Sequence, residues 1–344
     1  MFSGLDPGKS STHPSDLTDR YPIGVCLRMT GFIRSARSNA AWKSEFLHLT
    51  SCGTLYCTFL GQLALLLLSS FCNFGFAGES SVRTAQRPVT QIPFKAYRTY
   101  FIVVEGRIGR LDHQNLLLDT GSNPSMIDRE VVAKLDLEST PRALSAFNKS
   151  VASESATLPD LQFGPVERHG LRVAVADFSE ISHGIGVRID AVIGLDVLGG
   201  TNFTVDYSKG RLIFAALAER NTAKFASGAQ FMIVELKNGG RLFHLIVDSG
   251  AAHLVLFADH LQGGDYQWTT ATGMGRNVVG TVPLRMIVLM QARIGAQEIG
   301  PQKALVAASR KEIGSELDGL MALSCLRPTS ISFDFEHGIL GWSD

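Results

Sequence analysis

Beyond Cys72 the sequence holds a single cysteine, Cys325. The body of the chain therefore has no internal disulfide, and an apolar core must supply its stability. No charge is in excess: Lys plus Arg number 32, and Asp plus Glu number 32. That balance leaves no electrostatic footprint for nucleic acid, and none is expected as a partner. His244, His253 and His260 fall close together, but no His-x-x-x-His or other close ligand spacing occurs, so they read as surface or packing residues and no metal is expected. A Gly-x-Ser-x-Gly elbow is missing. Gly273-Met-Gly275 with Gly280 misplaces the third glycine of a dinucleotide loop, and no βαβ pattern surrounds it. Helical periodicity is scarce too, confined to 128–137 and 257–262. What is abundant is Val, Ile, Leu and Phe, in runs broken by Gly, Asn or Pro roughly every eight to twelve residues. The expected fold class is all-β.

The N-terminal quarter differs. Residues 1–48 are polar and without clear period, an N-terminal extension. From Thr50 to Gly78 no residue is charged, and the centre, Leu60-Gly-Gln-Leu-Ala-Leu-Leu-Leu-Leu68, is strongly apolar. Arg28, Arg34, Arg37 and Lys43 precede it against one acidic neighbour, Glu45. An apolar stretch with positive charge on its N-terminal side reads as a signal peptide or a membrane anchor, here assigned to 49–78. The expectation is an exported chain, periplasmic or otherwise extracytoplasmic, membrane-bound if the segment is uncleaved. Residues 79–94 form a linker.

The remainder is a duplication. Asp190-Ala-Val-Ile-Gly-Leu-Asp-Val-Leu198 parallels Asp318-Gly-Leu-Met-Ala-Leu-Ser-Cys-Leu326, an offset of 318 − 190 = 128. Thr201-Asn-Phe-Thr-Val-Asp-Tyr207 continues as Thr329-Ser-Ile-Ser-Phe-Asp-Phe335. Upstream, Leu116-Leu-Leu-Asp-Thr-Gly-Ser122 faces Leu245-Ile-Val-Asp-Ser-Gly-Ala251, an offset of 248 − 119 = 129. Gly164 and Gly295 lie 295 − 164 = 131 apart. Two copies of one unit occupy 95–217 and 228–344, joined by the polar stretch 218–227. With only two copies this is a doubled domain and not a solenoid, and the two lobes are expected to pair within one chain.

An apolar strand ending in Asp-Thr-Gly or Asp-Ser-Gly delivers a carboxylate to the floor of a cleft. The hydroxyls of Thr120 and Ser249 are short enough to bond across to the opposite loop. Gly121 and Gly250 let the backbone turn tightly and bring its N–H to the carboxylate. One such loop is an ordinary turn. Two, from equivalent halves, can set Asp119 and Asp248 side by side, and two touching carboxylates share a proton. In both halves the second motif follows at matching distance: 190 − 119 = 71 and 318 − 248 = 70.

These residues resemble the aspartic peptidases, pepsin-like and retroviral-type, and most nearly the bacterial retropepsin-like proteins, over about 95–344. The resemblance implies two pseudo-symmetric β-barrel lobes of the acid protease type around a cleft. It implies Asp119 and Asp248 as the catalytic pair of an endopeptidase acting on a peptide or protein, with no cofactor. The loops would be supported by Thr120, Gly121, Ser122, Ser249, Gly250 and Ala251. Val192-Ile193-Gly194 and Leu320-Met321-Ala322 would brace them from behind; Ala322 stands where the family prefers Gly, adding a methyl at a tight site beside Asp248. Flaps are expected at 145–150, where Phe147 is the candidate aromatic, and at 270–276. Ser122 can donate a hydrogen bond to its carboxylate, and Ala251 cannot. Cys325 aligns with Val197 and reads as packing. The rival reading of the same residues is a non-catalytic exported β-barrel binding protein that keeps the fold.

Overall fold

The computed structural model describes residues 21–22, 27–28, 89–146, 149–226, 230–261, 266–277, 280–308 and 317–344. The 49–78 segment and Phe147 lie outside them. Among the described residues no helix is long and apolar enough to cross a membrane.

The fold is all-β, with two lobes of repeated strand order. In the first lobe, Phe101–Ile108 pairs antiparallel with Leu111–Leu118, which pairs parallel with Ala191–Ile193. Met126–Asp128 follows antiparallel, then Val166–Ala176 parallel to it. The long hairpin of Ser139–Ala146 and Lys149–Phe163 completes the sheet. The second lobe repeats this order. Ile233–Asn238 pairs with Arg241–Asp248, then Gly319–Ala322, Leu254–Phe257 and Gln297–Ala307, with the hairpin of Tyr266–Asn277 and Gly280–Ile294 alongside. Gly164 and Gly295 sit at matching hairpin turns with φ of 52° and 57°, the left-handed conformation that a side chain disfavours.

Leu116–Leu118 and Leu245–Val247 are uninterrupted apolar runs because each strand is covered on both faces. That coverage lets each strand carry a polar loop into the interior at its end.

A third sheet joins the lobes. Phe203–Asp206 pairs antiparallel with Ser330–Asp334, putting Thr204 opposite Ser332. These two are repeat mates, since 332 − 204 = 128. A strand paired antiparallel with its own duplicate, mate against mate, lies on a twofold axis. Thr204 donates to Ser332 at 3.1 Å there, and Phe203 stacks on Phe333 with centroids 4.6 Å apart.

The expected helices differ in part. Arg129–Leu135 forms, capped by Asp128, whose carboxylate accepts from the Glu130 N–H. In the second lobe only a single 3₁₀ turn, Ala258–His260, appears in place of a helix. Ser179–Ile185 is a helix that the periodicity did not announce, because only Ile181 and Ile185 on it are buried.

Candidate active site

Both Asp-Thr/Ser-Gly loops meet at the interface of the lobes. Asp119 donates its N–H to the carbonyl of Ile193 at 2.9 Å, fixing the first loop to its bracing strand. Asp248 is paired in register with Ala322 in the second. The loops are then locked to each other. Thr120 Oγ1 donates to the Val247 carbonyl at 2.8 Å, and Ser249 Oγ to that of Leu118 at 2.8 Å. Each hydroxyl also accepts the other residue's backbone N–H, from Ser249 at 3.1 Å and from Thr120 at 2.9 Å. All four bonds are buried, where a lost partner costs most. Thr120→Val is therefore expected to strip two buried main-chain groups of partners and to cost about 2–4 kcal/mol, with Thr120→Ser restoring most of it. Urea unfolding of Thr120→Val, Ser249→Ala and the double variant checks this. Strictly additive losses would show that the two hydroxyls do not act as one lock.

Asp119 and Asp248 are each 0 % exposed. Gly121 N–H donates to Asp119 Oδ1 at 2.8 Å, and Gly250 N–H to Asp248 Oδ1 at 2.9 Å. The other oxygens, Asp119 Oδ2 and Asp248 Oδ2, are buried with no N–H or hydroxyl donor. The two carboxyls are in hydrogen-bonding contact, so a single proton between them is the donor that both lack. Burial, with the Asp248 charge beside it, holds the Asp119 carboxyl well above the usual carboxylate range. Burial raises Asp248 as well. The pair thus keeps a proton at pH values where a lone aspartate has lost it.

Ser122 does not serve its carboxylate. Its hydroxyl donates to the Pro124 carbonyl, 2.9 Å away, a local partner two residues on. The expected contrast between Ser122 and Ala251 as carboxylate donors is corrected accordingly: neither side chain bonds its aspartate.

The bracing strands are not identical. At Gly194 a Cβ would come within 2.5 Å of the Ser122 carbonyl oxygen, so the first lobe admits no side chain there. In the second lobe Ala322 is fully buried and in register, and the Asp248 loop keeps the same glycine N–H bond and the same cross-lobe lock as its mate. The tight position has moved to Gly319, where a Cβ would sit 2.0 Å from the Val255 carbonyl oxygen. The extra methyl of Ala322 is accommodated.

Two residues that the motifs did not flag hold the first loop. Asp196 accepts from the Ser125 backbone N–H and from its hydroxyl at 2.6 Å, and Ser125 Oγ accepts from the Gly194 N–H at 2.9 Å. The mate of Asp196 is Ser324, since 324 − 196 = 128, and it donates to the Ala252 carbonyl at 3.0 Å. Behind the loops, Asp190 binds Arg188 and the Asn115 N–H. Its mate Asp318 binds His260 and the His244 N–H. His260 thus has a structural partner. Cys325 is buried, and burial pushes its thiol up to about 12.

Residues 104–197 match the family model described as aspartyl protease. Among solved structures the chain is similar to the aspartic proteinase from Irpex lacteus, at 14 % identity and a TM-score of 0.46, over 74 % of this chain and 97 % of that one. A search of curated proteins gave no match. The family-model match falls on the first repeat, over Asp119 and Val192–Gly194.

Proposed function

We propose that the chain is an aspartic endopeptidase, with Asp119 and Asp248 as its catalytic pair. The observation that carries this is the arrangement of the carboxyls: one from each repeat, in contact, each with one oxygen held by a glycine N–H and the other without a donor. Such a pair works with one proton between its members. The ionised carboxylate takes a proton from a water as that water attacks the scissile carbonyl carbon. The protonated partner gives its proton to the carbonyl oxygen, and the tetrahedral species collapses as the leaving nitrogen is protonated. Two carboxyls sharing one proton are the established working state of aspartic proteases as a class, and the chemistry calls for no metal or organic cofactor. The substrate would lie extended beneath the two long hairpins, Ser139–Phe163 and Tyr266–Ile294. The 49–78 segment would carry the peptidase lobes across a membrane.

Cleavage of an unbiased peptide library from about pH 3 to pH 8, with and without a statine-type inhibitor, tests the reading. Inhibitor-sensitive cuts at internal bonds are the expected result. No hydrolysis at any pH, by protein whose inhibitor binding shows a formed site, would favour the binding-protein reading.

A further inference from the structure

A second matched pair of acids stands behind the catalytic loops. Asp190 donates its N–H to the Asn115 carbonyl at 3.0 Å, and its carboxylate accepts the Asn115 N–H at 2.9 Å. Its own carbonyl accepts the Asp128 N–H at 3.0 Å. Asp318 repeats all three bonds. It donates to the His244 carbonyl at 2.9 Å, and accepts the His244 N–H at 2.7 Å and the Phe257 N–H at 2.9 Å. The partners are repeat mates as well, since 244 − 115 = 129 and 257 − 128 = 129. His244 lies on the strand that enters the second catalytic loop, and Phe257 on the strand that follows it. Asp318 therefore ties together both stems of the loop that carries Asp248. It also opens the strand Gly319–Ala322, whose Ala322 is paired in register with Asp248.

The two clamps differ in what holds the carboxylate. In the first lobe Arg188 Nε donates to Asp190 Oδ1 at 2.7 Å, and Arg188 Nη1 donates to Glu130 at 2.7 Å. In the second lobe the residue types are inverted. His260 stands at the repeat position of Glu130, since 260 − 130 = 130. An acid, Glu316, stands at that of Arg188, since 316 − 188 = 128, and lies outside the described residues. His260 Nδ1 is 3.0 Å from Asp318 Oδ1. The carboxylate oxygen accepts, so Nδ1 carries a proton. Asp259 Oδ1 lies 3.6 Å from the other ring nitrogen, and His244 Nδ1 lies 3.6 Å from Asp318 Oδ2. Among the described residues no lysine or arginine pairs with Asp318. Asp318 is buried, where the loss of a donor is costly.

We propose that His260 is a positioning residue for Asp248, doing for the second loop what Arg188 does for the first. Its Nδ1–H fixes the Asp318 carboxylate, and Asp318 fixes both stems of the loop. The proposal rests on the peptidase reading for the work that Asp248 does, but the placement of the loop does not. With the imidazole gone, Asp318 Oδ1 has no donor, and the carboxylate turns toward water. The His244 N–H bond slackens with it, and so does the entering strand that ends in Asp248. Small displacements of a reacting group are expensive in rate, and they fall on turnover more than on substrate binding.

The test uses the full chain with His260→Leu, which removes the donor and keeps an apolar group beside the Phe257 ring, and with His260→Asn, whose amide N–H takes the place of Nδ1–H. His169→Leu, an exposed histidine beside Glu167 in the first lobe, is the control. Amide hydrogen exchange is read at His244, Gly250 and Phe257, with the first-lobe mates Asn115 and Asp128 as internal references. His260→Leu is expected to speed exchange at the three second-lobe amides by about fivefold or more and to leave the references within about twofold. On library peptides kcat should fall by about tenfold while KM moves less than about twofold. His260→Asn should bring exchange and kcat back to within about threefold of the parent, and His169→Leu should change neither by more than about twofold. Unchanged exchange at Gly250 in a folded His260→Leu chain overturns the proposal, as does parental kcat in that variant or a failure of His260→Asn to rescue. Faster exchange confined to the second lobe, with no hydrolysis by any variant or by the parent, would uphold the positioning role and remove the peptidase.

Discussion

Asp119→Asn and Asp248→Asn are each expected to abolish hydrolysis while making the protein harder to unfold at neutral pH. The loss follows from division of labour: one carboxyl accepts a proton as the other donates, and an amide does neither. A fall in kcat/KM of about four orders of magnitude or more is expected, with peptide binding retained. The gain in stability follows from the raised proton affinity of the buried pair. A carboxyl whose folded pKa lies above its unfolded value stabilises the fold at low pH, and that contribution is lost as pH rises through the folded pKa. Above it, the fold must bury a second negative charge beside the first. Each unit of elevation is worth about 1.4 kcal/mol, and asparagine escapes the penalty. The melting temperature should therefore rise in either variant at about pH 7, by about 2–4 °C per kcal/mol. Below about pH 4, near the unfolded aspartate's own pKa, the advantage should vanish. Thermal melts across that range decide it. A variant less stable than the parent at neutral pH would show that the carboxyls hold the loops together as ions, which the coupled-proton picture does not allow.

Much of this site is legible in the sequence alone, because duplication writes each functional position twice. The near-constant offset picks Asp119 and Asp248 out of the 32 acidic residues. The apolar triplets before them announce strands buried on both faces. Long-range partners are not legible. Asp196 and Ser125 are 71 residues apart in sequence and bond directly, and in the second repeat a serine and a carbonyl do that work, so no shared residue type marks them. Ser122 misleads for a local reason: from sequence its hydroxyl has two acceptors within reach, and the turn geometry selects the Pro124 carbonyl. Ala322 looks like a defect because Gly194 is indispensable in its own lobe. Only the packing shows that the second lobe places its closest approach three residues earlier, at Gly319. The Ser179–Ile185 helix escapes notice because two apolar anchors are too few to stand out as a period.

Gly121→Ala should damage both the stability and the activity of this protein. A Cβ at Gly121 would lie 2.3 Å from Asp248 Cγ and 2.5 Å from its Oδ2, and a Cβ at Gly250 would lie 2.5 Å from Asp119 Cγ. Each glycine is pressed against the carboxyl of the opposite lobe, so the methyl has to push the aspartates apart or open the lobe interface. Neither loop can yield cheaply, since the four bonds of Thr120 and Ser249 hold both backbones. Overpacking of a rigid site costs about 1–3 kcal/mol, and separating the carboxyls ends the proton sharing. The expected result for Gly121→Ala and for Gly250→Ala is a stability loss of that size with activity down by about a thousandfold or more, since small misplacements of reacting groups already cost about a hundredfold. Gly240→Ala is the matched control. Its Cβ would meet nothing within 4 Å, and its φ lies outside the left-handed region. That variant should melt within about 0.5 kcal/mol of the parent and cleave at the same rate. The pH profile separates misplacement from simple unfolding. In a folded Gly121→Ala protein whose carboxyls have moved apart, Asp119 should titrate closer to the ordinary aspartate range, because the Asp248 charge no longer adds to burial in raising it. A folded variant with the parent's activity and the parent's pH profile would mean that the two loops do not hold the carboxyls in contact.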